Sequence, residues 1–381
     1  MNTPDRRLEW VVFALVAAAF TTIYITQPVL SVLEKDFRAD TVSVARTVSA
    51  VLLGIVVANL PFGYLSDRYA IRPIIFGGGA AIAGCSLWCA FAADLQTLTI
   101  ARFVQGCFIP ALTTCLAAYL ARILPLERLN VVMGSYVAAT IFGGMCGRLL
   151  GGFIHDPADW RHAFITAGIL VGGSCLVASR IIPVAPVERS RQASSSYIRL
   201  LANGRLSLLF LCGAAGQAIF SPVFNTVPYR LQSELIGLSA RESSLVYLTY
   251  ICGVAIGPAA GRLSNRVGNG NAMMIGSGIL AVSLLLLLIP TVGAVVLALV
   301  GVCCGFFAVH AAAVGALNRK LESSHGRANA LYVLSYYLGA TIGVSWSSWV
   351  YQYYGWELLI AVACAILIVP FLVGMSERHH R

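Results

Sequence analysis

From residue 10 onward the chain keeps returning to apolar runs of about 20 residues, the length needed to cross a bilayer as a helix. Twelve such runs cover residues 10–33, 44–66, 73–92, 95–122, 129–154, 161–182, 206–233, 243–264, 271–290, 292–317, 325–351 and 356–375. Inside lipid every backbone N–H and C=O needs a partner within the protein, and a helix supplies these internally. Charged residues make up only 11% of the chain, against about 25% in a water-soluble domain, so a water-facing surface could not be covered. These features predict an all-α membrane protein with twelve transmembrane helices. The longest polar break, PVAPVERSRQASSSYIRLLANGR at 183–205, divides the runs six and six. It predicts an N-terminal six-helix bundle over 1–182, a cytoplasmic linker over 183–205 and a C-terminal six-helix bundle over 206–381. Arg6 and Arg7 precede the first run, and Ala17-Ala18-Ala19 offers a signal-cleavage site. The run continues past that site to Leu33, so an uncleaved first helix is expected.

The net charge of +10 raises the question of nucleic acid. The basic residues answer it, because they lie in short segments between apolar runs. Of the 26 Lys and Arg, eighteen fall on the N-terminal side of the membrane when twelve crossings are counted, five on the other, and Arg46, Arg102 and Arg148 at or within runs. That bias predicts both termini in the cytoplasm and excludes nucleic acid as a partner. The eleven cysteines sit almost entirely within apolar runs and none is in Cys-x-x-Cys spacing. They read as small buried hydrophobes, and no metal site is expected.

One charged phrase occurs twice. GYLSDRYAIRP runs from Gly63 to Pro73, and GRLSNRVGNGN begins at Gly261. Both lie between the second and third runs of their half, so the halves repeat one another. The first phrase supplies Gly63, Leu65, Asp67, Arg68 and Arg72, and the second keeps Gly261, Leu263, Arg266 and Gly268 with Asn265 in place of the acid. The fourth run carries Arg102, Gln105 and Gly106 as R-x-x-Q-G, and the fifth reads GGMCGRLLGG from Gly143 to Gly152. In these three patterns the chain resembles the major facilitator superfamily, over its whole length. The fifth-run pattern resembles the G-x-x-x-G-P-x-x-G-G of proton-driven antiporters, with Arg148 where they carry proline.

The resemblance implies two pseudo-symmetric six-helix bundles around a central cavity that opens alternately to either side. Runs 1, 4, 7 and 10 then line the cavity. It also implies a conformational latch of Gly63, Asp67, Arg68 and Arg72, with Asp67 held by the positive N-terminus of the eleventh helix near Ser323–Arg327.

Charges inside a membrane span are costly and mark function. Arg102 and Arg148 lie at about 10 Å depth on neighbouring runs. Two readings stay open: they cap backbone carbonyls or reach outer acids, or they form a positive cavity wall. Gln27 is placed to accept from Arg102. Gly143, Gly147, Gly151 and Gly152 recur at spacing that allows close helix approach. His310 is the histidine deep in a run and, with Arg102, a candidate for proton coupling. Gln217, Ser221 and Asn225 share one helical face. With Tyr24, Gln27, Arg102, Gln105, Arg148, Tyr250, Phe306, His310 and Tyr336 they form the expected substrate surface, aromatic with scattered amides.

The expected function is secondary export of a small amphipathic compound or metabolite by proton antiport, from the bacterial inner membrane, with no cofactor beyond the proton gradient. An organic-anion transporter is the alternative, and a transporter-like membrane sensor the rival of another class. Neither a nucleotide-binding loop nor a paired catalytic constellation is present in the sequence, so an enzyme is not expected. The expected partners are the bilayer and a small-molecule substrate, with the chain acting as a monomer.

Overall fold

A computed structural model describes residues 3–123, 126–155, 159–182, 197–321 and 325–378, and among them only helices and short connections occur. Most of the predicted linker thus lies outside the described residues. The helices are α1 Thr3–Ile23, α2 Leu30–Phe37, α3 Thr41–Arg68, α4 Ile71–Ala90, α5 Leu95–Leu112, α6 Thr114–Ile123, α7 Leu126–His155 and α8 Arg161–Ile181. After these come α9 Tyr197–Ala202, α10 Gly204–Gln232, α11 Ala240–Ser244, α12 Tyr250–Val267, α13 Asn269–Leu286, α14 Val292–Arg319, α15 His325–Ile366 and α16 Ile368–Arg378.

Each of the twelve apolar runs falls on helix, but not always on one helix. Nine helical stretches among the described residues are long and apolar enough to cross a membrane, and the last of them, Arg327–Arg378, carries both final runs. Gly355 separates those two runs with φ +83° and ψ −171°, a conformation that glycine adopts without the clash of a Cβ. The first run is not the continuous helix expected from its hydropathy. α1 stops at Ile23 and a 3-10 turn over Gln27–Val29 leads into α2. Pro28 has no N–H and its ring opposes a carbonyl one turn back, which favours a break in the α-helical ladder there, although α10 runs on through Pro222 and Pro228. Hydropathy does not register this, because the residues remain apolar. A second short break at Thr113 separates α5 from α6, and a 3-10 turn over Leu245–Thr249 precedes α12.

Contacts group the chain into two compact units: Met1–Ala39, Arg46–Arg191 and Ala240–Tyr247 in one, and Asp40–Ala45, Gln192–Ser239 and Leu248–Arg381 in the other. In the first, α1 packs on α7 and α8, and α4 packs on α5 and α8. On α1, Val12, Leu15, Val16 and Ala19 are fully buried, the i, i+3, i+4, i+7 stripe of a helix with one inward face. In the second unit α10 packs on α15, α13 on α14 and on α16, and α12 on α14.

Large apolar side chains also point outward. Trp10 is 70% exposed, Leu176 71% and Val282 68%. In water each such side chain forgoes about 1.5–3 kcal/mol of burial, and a bilayer removes that cost. The first unit closes tightly where α7 meets α1. A Cβ at Gly147 would land on the Thr21 carbonyl and one at Gly143 on the Ala17 carbonyl, so the two backbones touch at successive turns.

Candidate functional site

The first-unit cluster forms around the break in the first run. Ending α1 at Ile23 strands its last carbonyls, which carry the negative end of the helix dipole. Arg102 of α5 fills that need. Its Nη1 donates to Thr22 O at 2.6 Å, its Nη2 to Ile23 O, and its Nε to Thr47 O at 3.2 Å. The same guanidinium donates to Gln105 Oε1, whose amide nitrogen donates to Ser86 Oγ at 2.8 Å. Arg102, Gln105 and Ser86 are all fully buried, and the Phe164 ring lies 5.6 Å from the guanidinium carbon. The R-x-x-Q spacing places both side chains on one helical face, where they join α1, α3 and α4.

Arg148 of α7 holds the other side of the break. Its Nε donates to Gln27 Oε1 at 2.7 Å and its Nη1 to Gly144 O at 2.8 Å. The guanidinium carbon is 3.8 Å from the Tyr24 ring centre and 5.3 Å from that of Tyr247. Gln27 therefore pairs with Arg148, not with Arg102 as its depth suggested. Gln27 leaves the α-helical register at the 3-10 turn, which turns its side chain toward α7. The outer acids serve other partners: Asp36 accepts from Trp160 Nε1 at 2.8 Å, and Asp94 caps α5 by accepting from the Thr97 N–H at 2.8 Å. Gly151 approaches the Ile25 carbonyl and Gly152 the Ser244 side chain.

The second-unit cluster joins α10, α12, α14 and α15. Phe220 stacks on Phe306 with ring centres 4.2 Å apart, and Phe224 meets Tyr250 edge-on at 4.5 Å. His310 of α14 and Tyr332 of α15 share a hydrogen bond between Nδ1 and Oη at 3.0 Å. When the phenol donates, the imidazole carries its proton on Nε2. Tyr336 and Phe306 flank the imidazole at 5.3 and 5.8 Å. Gln217, Ser221 and Asn225 lie along the same face of α10 as Phe220 and Phe224, all buried. Among the described residues Gln217 Oε1 and Ser221 Oγ have no hydrogen-bond partner, which is costly for enclosed polar atoms.

The predicted latch is described only in part. The Asp67 side chain and residues 322–324 lie outside the described residues. Gly63 faces open space, Arg68 rests over the Tyr64 ring at 4.4 Å, and Arg72 donates to the Ser179 carbonyl in the last turn of α8.

Several participants escaped the sequence reading. Ser86 and Phe164 had no signal, being an ordinary serine and an ordinary aromatic on apolar helices. Phe220 and Phe224 had one: with Gln217 and Ser221 they complete an i, i+3, i+4, i+7 stripe on α10.

A helical membrane chain with a broken first span and buried polar clusters in each of two units has the build of a solute transporter. The family model for the Major Facilitator Superfamily matches residues 12–318 and 206–380, and the chain belongs to that family. It is accordingly a membrane transporter of small molecules and not an enzyme. It is 27% identical over 388 residues to the inner membrane transport protein YnfM of Escherichia coli, a match spanning 100% of this chain and 92% of that protein. It is also 27% identical to a chloramphenicol resistance protein of Pseudomonas aeruginosa, over 67% of this chain and 61% of that one. Among solved structures it is similar to a bacterial homolog of the human lysosomal transporter Spinster, with TM-score 0.84 and 13% identity over 100% of this chain and 98% of that chain. The nucleoside transporter NupG matches with TM-score 0.75 and 14% identity over 98% and 100%. At such identities these structures share the fold alone.

Proposed function

We propose that the protein exports a small amphipathic compound across the bacterial inner membrane in exchange for protons, by alternating access and without a nucleotide-driven motor. The observation that carries this reading is the α10 face, where buried Gln217 Oε1 and Ser221 Oγ stand unpartnered beside stacked aromatic rings. A flat, partly apolar solute that brings its own hydrogen-bonding group satisfies both the rings and the amide. The similarity to a chloramphenicol resistance protein supports efflux. His310, hydrogen-bonded to Tyr332, is the proposed proton carrier. Arg102, the other candidate from the sequence, is a permanent cation donating to the Thr22, Ile23 and Thr47 carbonyls and is not proposed to carry protons. The proposal keeps the bundles at 1–182 and 206–381, the linker at 183–205, both termini in the cytoplasm, the chain as a monomer, and Asp67 as a latch.

Proteoliposomes with an acidic lumen and a trapped pH dye test it. Adding chloramphenicol, or another member of an amphipathic panel, outside should drain luminal protons. His310→Gln should abolish the proton signal while solute binding persists. Lumen acidification that requires co-entry of the solute would identify symport and sink the antiport reading.

A second reading, transport of an organic anion, is favoured by the buried guanidinium of Arg148, whose cation is held by an amide and two aromatic rings. A pH-gradient response to organic acids alone would select it.

A further inference from the structure

Away from both clusters, one end of the second unit holds a cavity of about 460 Å³ framed by the start of α13 and the ends of α14 and α16. Its walls are electropositive for independent reasons. α13 begins at Asn269 after Gly268, and no side chain caps it. Asn269, Gly270 and Asn271, the first turn of α13, line the cavity, so the positive end of an 18-residue helix lies at its wall. Arg319 and Arg378 close α14 and α16, and Lys320 follows Arg319.

Glu377, the carboxylate in this lining, is matched by Lys320, with Nζ to Oε1 at 3.1 Å. Arg319 donates to the neutral amide oxygen of Asn265 at 3.0 Å. Basic residues at helix C-termini ordinarily answer the negative end of their own dipole. Here the C-terminal dipoles of α14 and α16 and the Glu377 carboxylate offset only part of the three cations and the start of α13, and an anion among them would balance the rest.

We propose that this cavity binds a phosphate-type anion, supplied either by the headgroup of an anionic phospholipid or by free phosphate. The volume is several times that of a phosphate and admits a whole headgroup as well as the free ion, and basic clusters beside membrane helices recognise anionic headgroups.

The full chain, purified and stripped of lipid, is offered phosphatidylglycerol or phosphatidylcholine and read by native mass spectrometry. Its melting is followed separately in sodium phosphate and in sodium chloride of equal ionic strength. Wild type should retain phosphatidylglycerol over phosphatidylcholine, or melt higher in phosphate, and which of the two occurs names the source. Arg319→Gln with Arg378→Gln should weaken that binding roughly thirtyfold, from the usual contribution of a basic residue near an anionic surface. Asn269→Asp keeps the fold, because its Oδ1 goes on accepting from Ser264 Oγ and a carboxylate suits a helix start, yet should repel the anion. Should the double variant fail to fold, Asn269→Asp decides alone. Equal retention of both lipids with no phosphate effect, or anion binding unaltered in the variants, overturns the proposal.

Discussion

The guanidinium of Arg148 lies 3.8 Å from the centre of the Tyr24 ring while its Nε donates to Gln27 at 2.7 Å. Both partners belong to the segment where the first run leaves helix, so α7 grips that segment through one side chain. Tyr24→Phe keeps the ring face and gives up only the hydroxyl's hydrogen bond with Arg148, so it should lower thermal stability less than Tyr24→Leu. Tyr24→Leu removes the ring and should cost about 0.5–2 kcal/mol, read as a lower melting temperature of the purified protein.

Arg102 is the larger investment. Truncation to alanine strands buried carbonyls of Thr22 and Ile23 that now accept from it, at about 1–3 kcal/mol for each unsatisfied group. Arg102→Lys should recover little of the loss, because an ammonium cannot fork across adjacent carbonyls. Thiol-reactive dye unfolding separates the three proteins; a lysine variant as stable as wild type would mean that the charge, and not the fork, is what matters.

At Gly147 the expected effect is steric. A Cβ there meets the Thr21 backbone, which cannot rotate away, so Gly147→Ala should destabilise by about 1–3 kcal/mol. Gly173 has nothing within 4 Å of an added Cβ, and Gly173→Ala should be neutral or stabilising, since alanine favours helix. Equal melting temperatures for the two variants would refute the close α1–α7 contact.

Gln217→Leu and Ser221→Ala separate binding from folding. Because Gln217 Oε1 and Ser221 Oγ lack partners, removing them should hold or raise the melting temperature. Solute transport should fall in the same proteins. Lost stability with unchanged transport would make these groups structural.

Asp94 gives a pH dependence. The Thr97 N–H and hydroxyl donate to its carboxylate and hold its pKa below the ordinary aspartate value. A depressed folded pKa contributes stability above the unfolded pKa, lost as pH falls through the folded value. Wild type should therefore lose melting temperature on acidification below the usual aspartate range, and Asp94→Asn, which caps without titrating, should lose less.

The sequence made the helical framework readable, because apolar length alone dictates a membrane helix and the repeated Gly63 and Gly261 phrases mark equivalent joints. Arg102 and Gln105 were readable as a pair since their spacing shares a face. What they bind was not: the acceptors are carbonyls of α1 and α3, freed or offered by tertiary structure and identical in every residue type. Pro28 carried the sign of the broken first run, outweighed by hydropathy on either side. The partner of Gln27 went unrecognised for that same reason, since helical depth counts residues through a break that turns them. His310 and Tyr332 sit on different helices, and no local spacing links them.

Gly355 holds the last two membrane runs in succession with one residue of non-helical backbone. A joint that short leaves nothing to lengthen. An epitope or protease site inserted there would have to unwind a helix end to be displayed, so accessibility mapping of the chain belongs at its other connections.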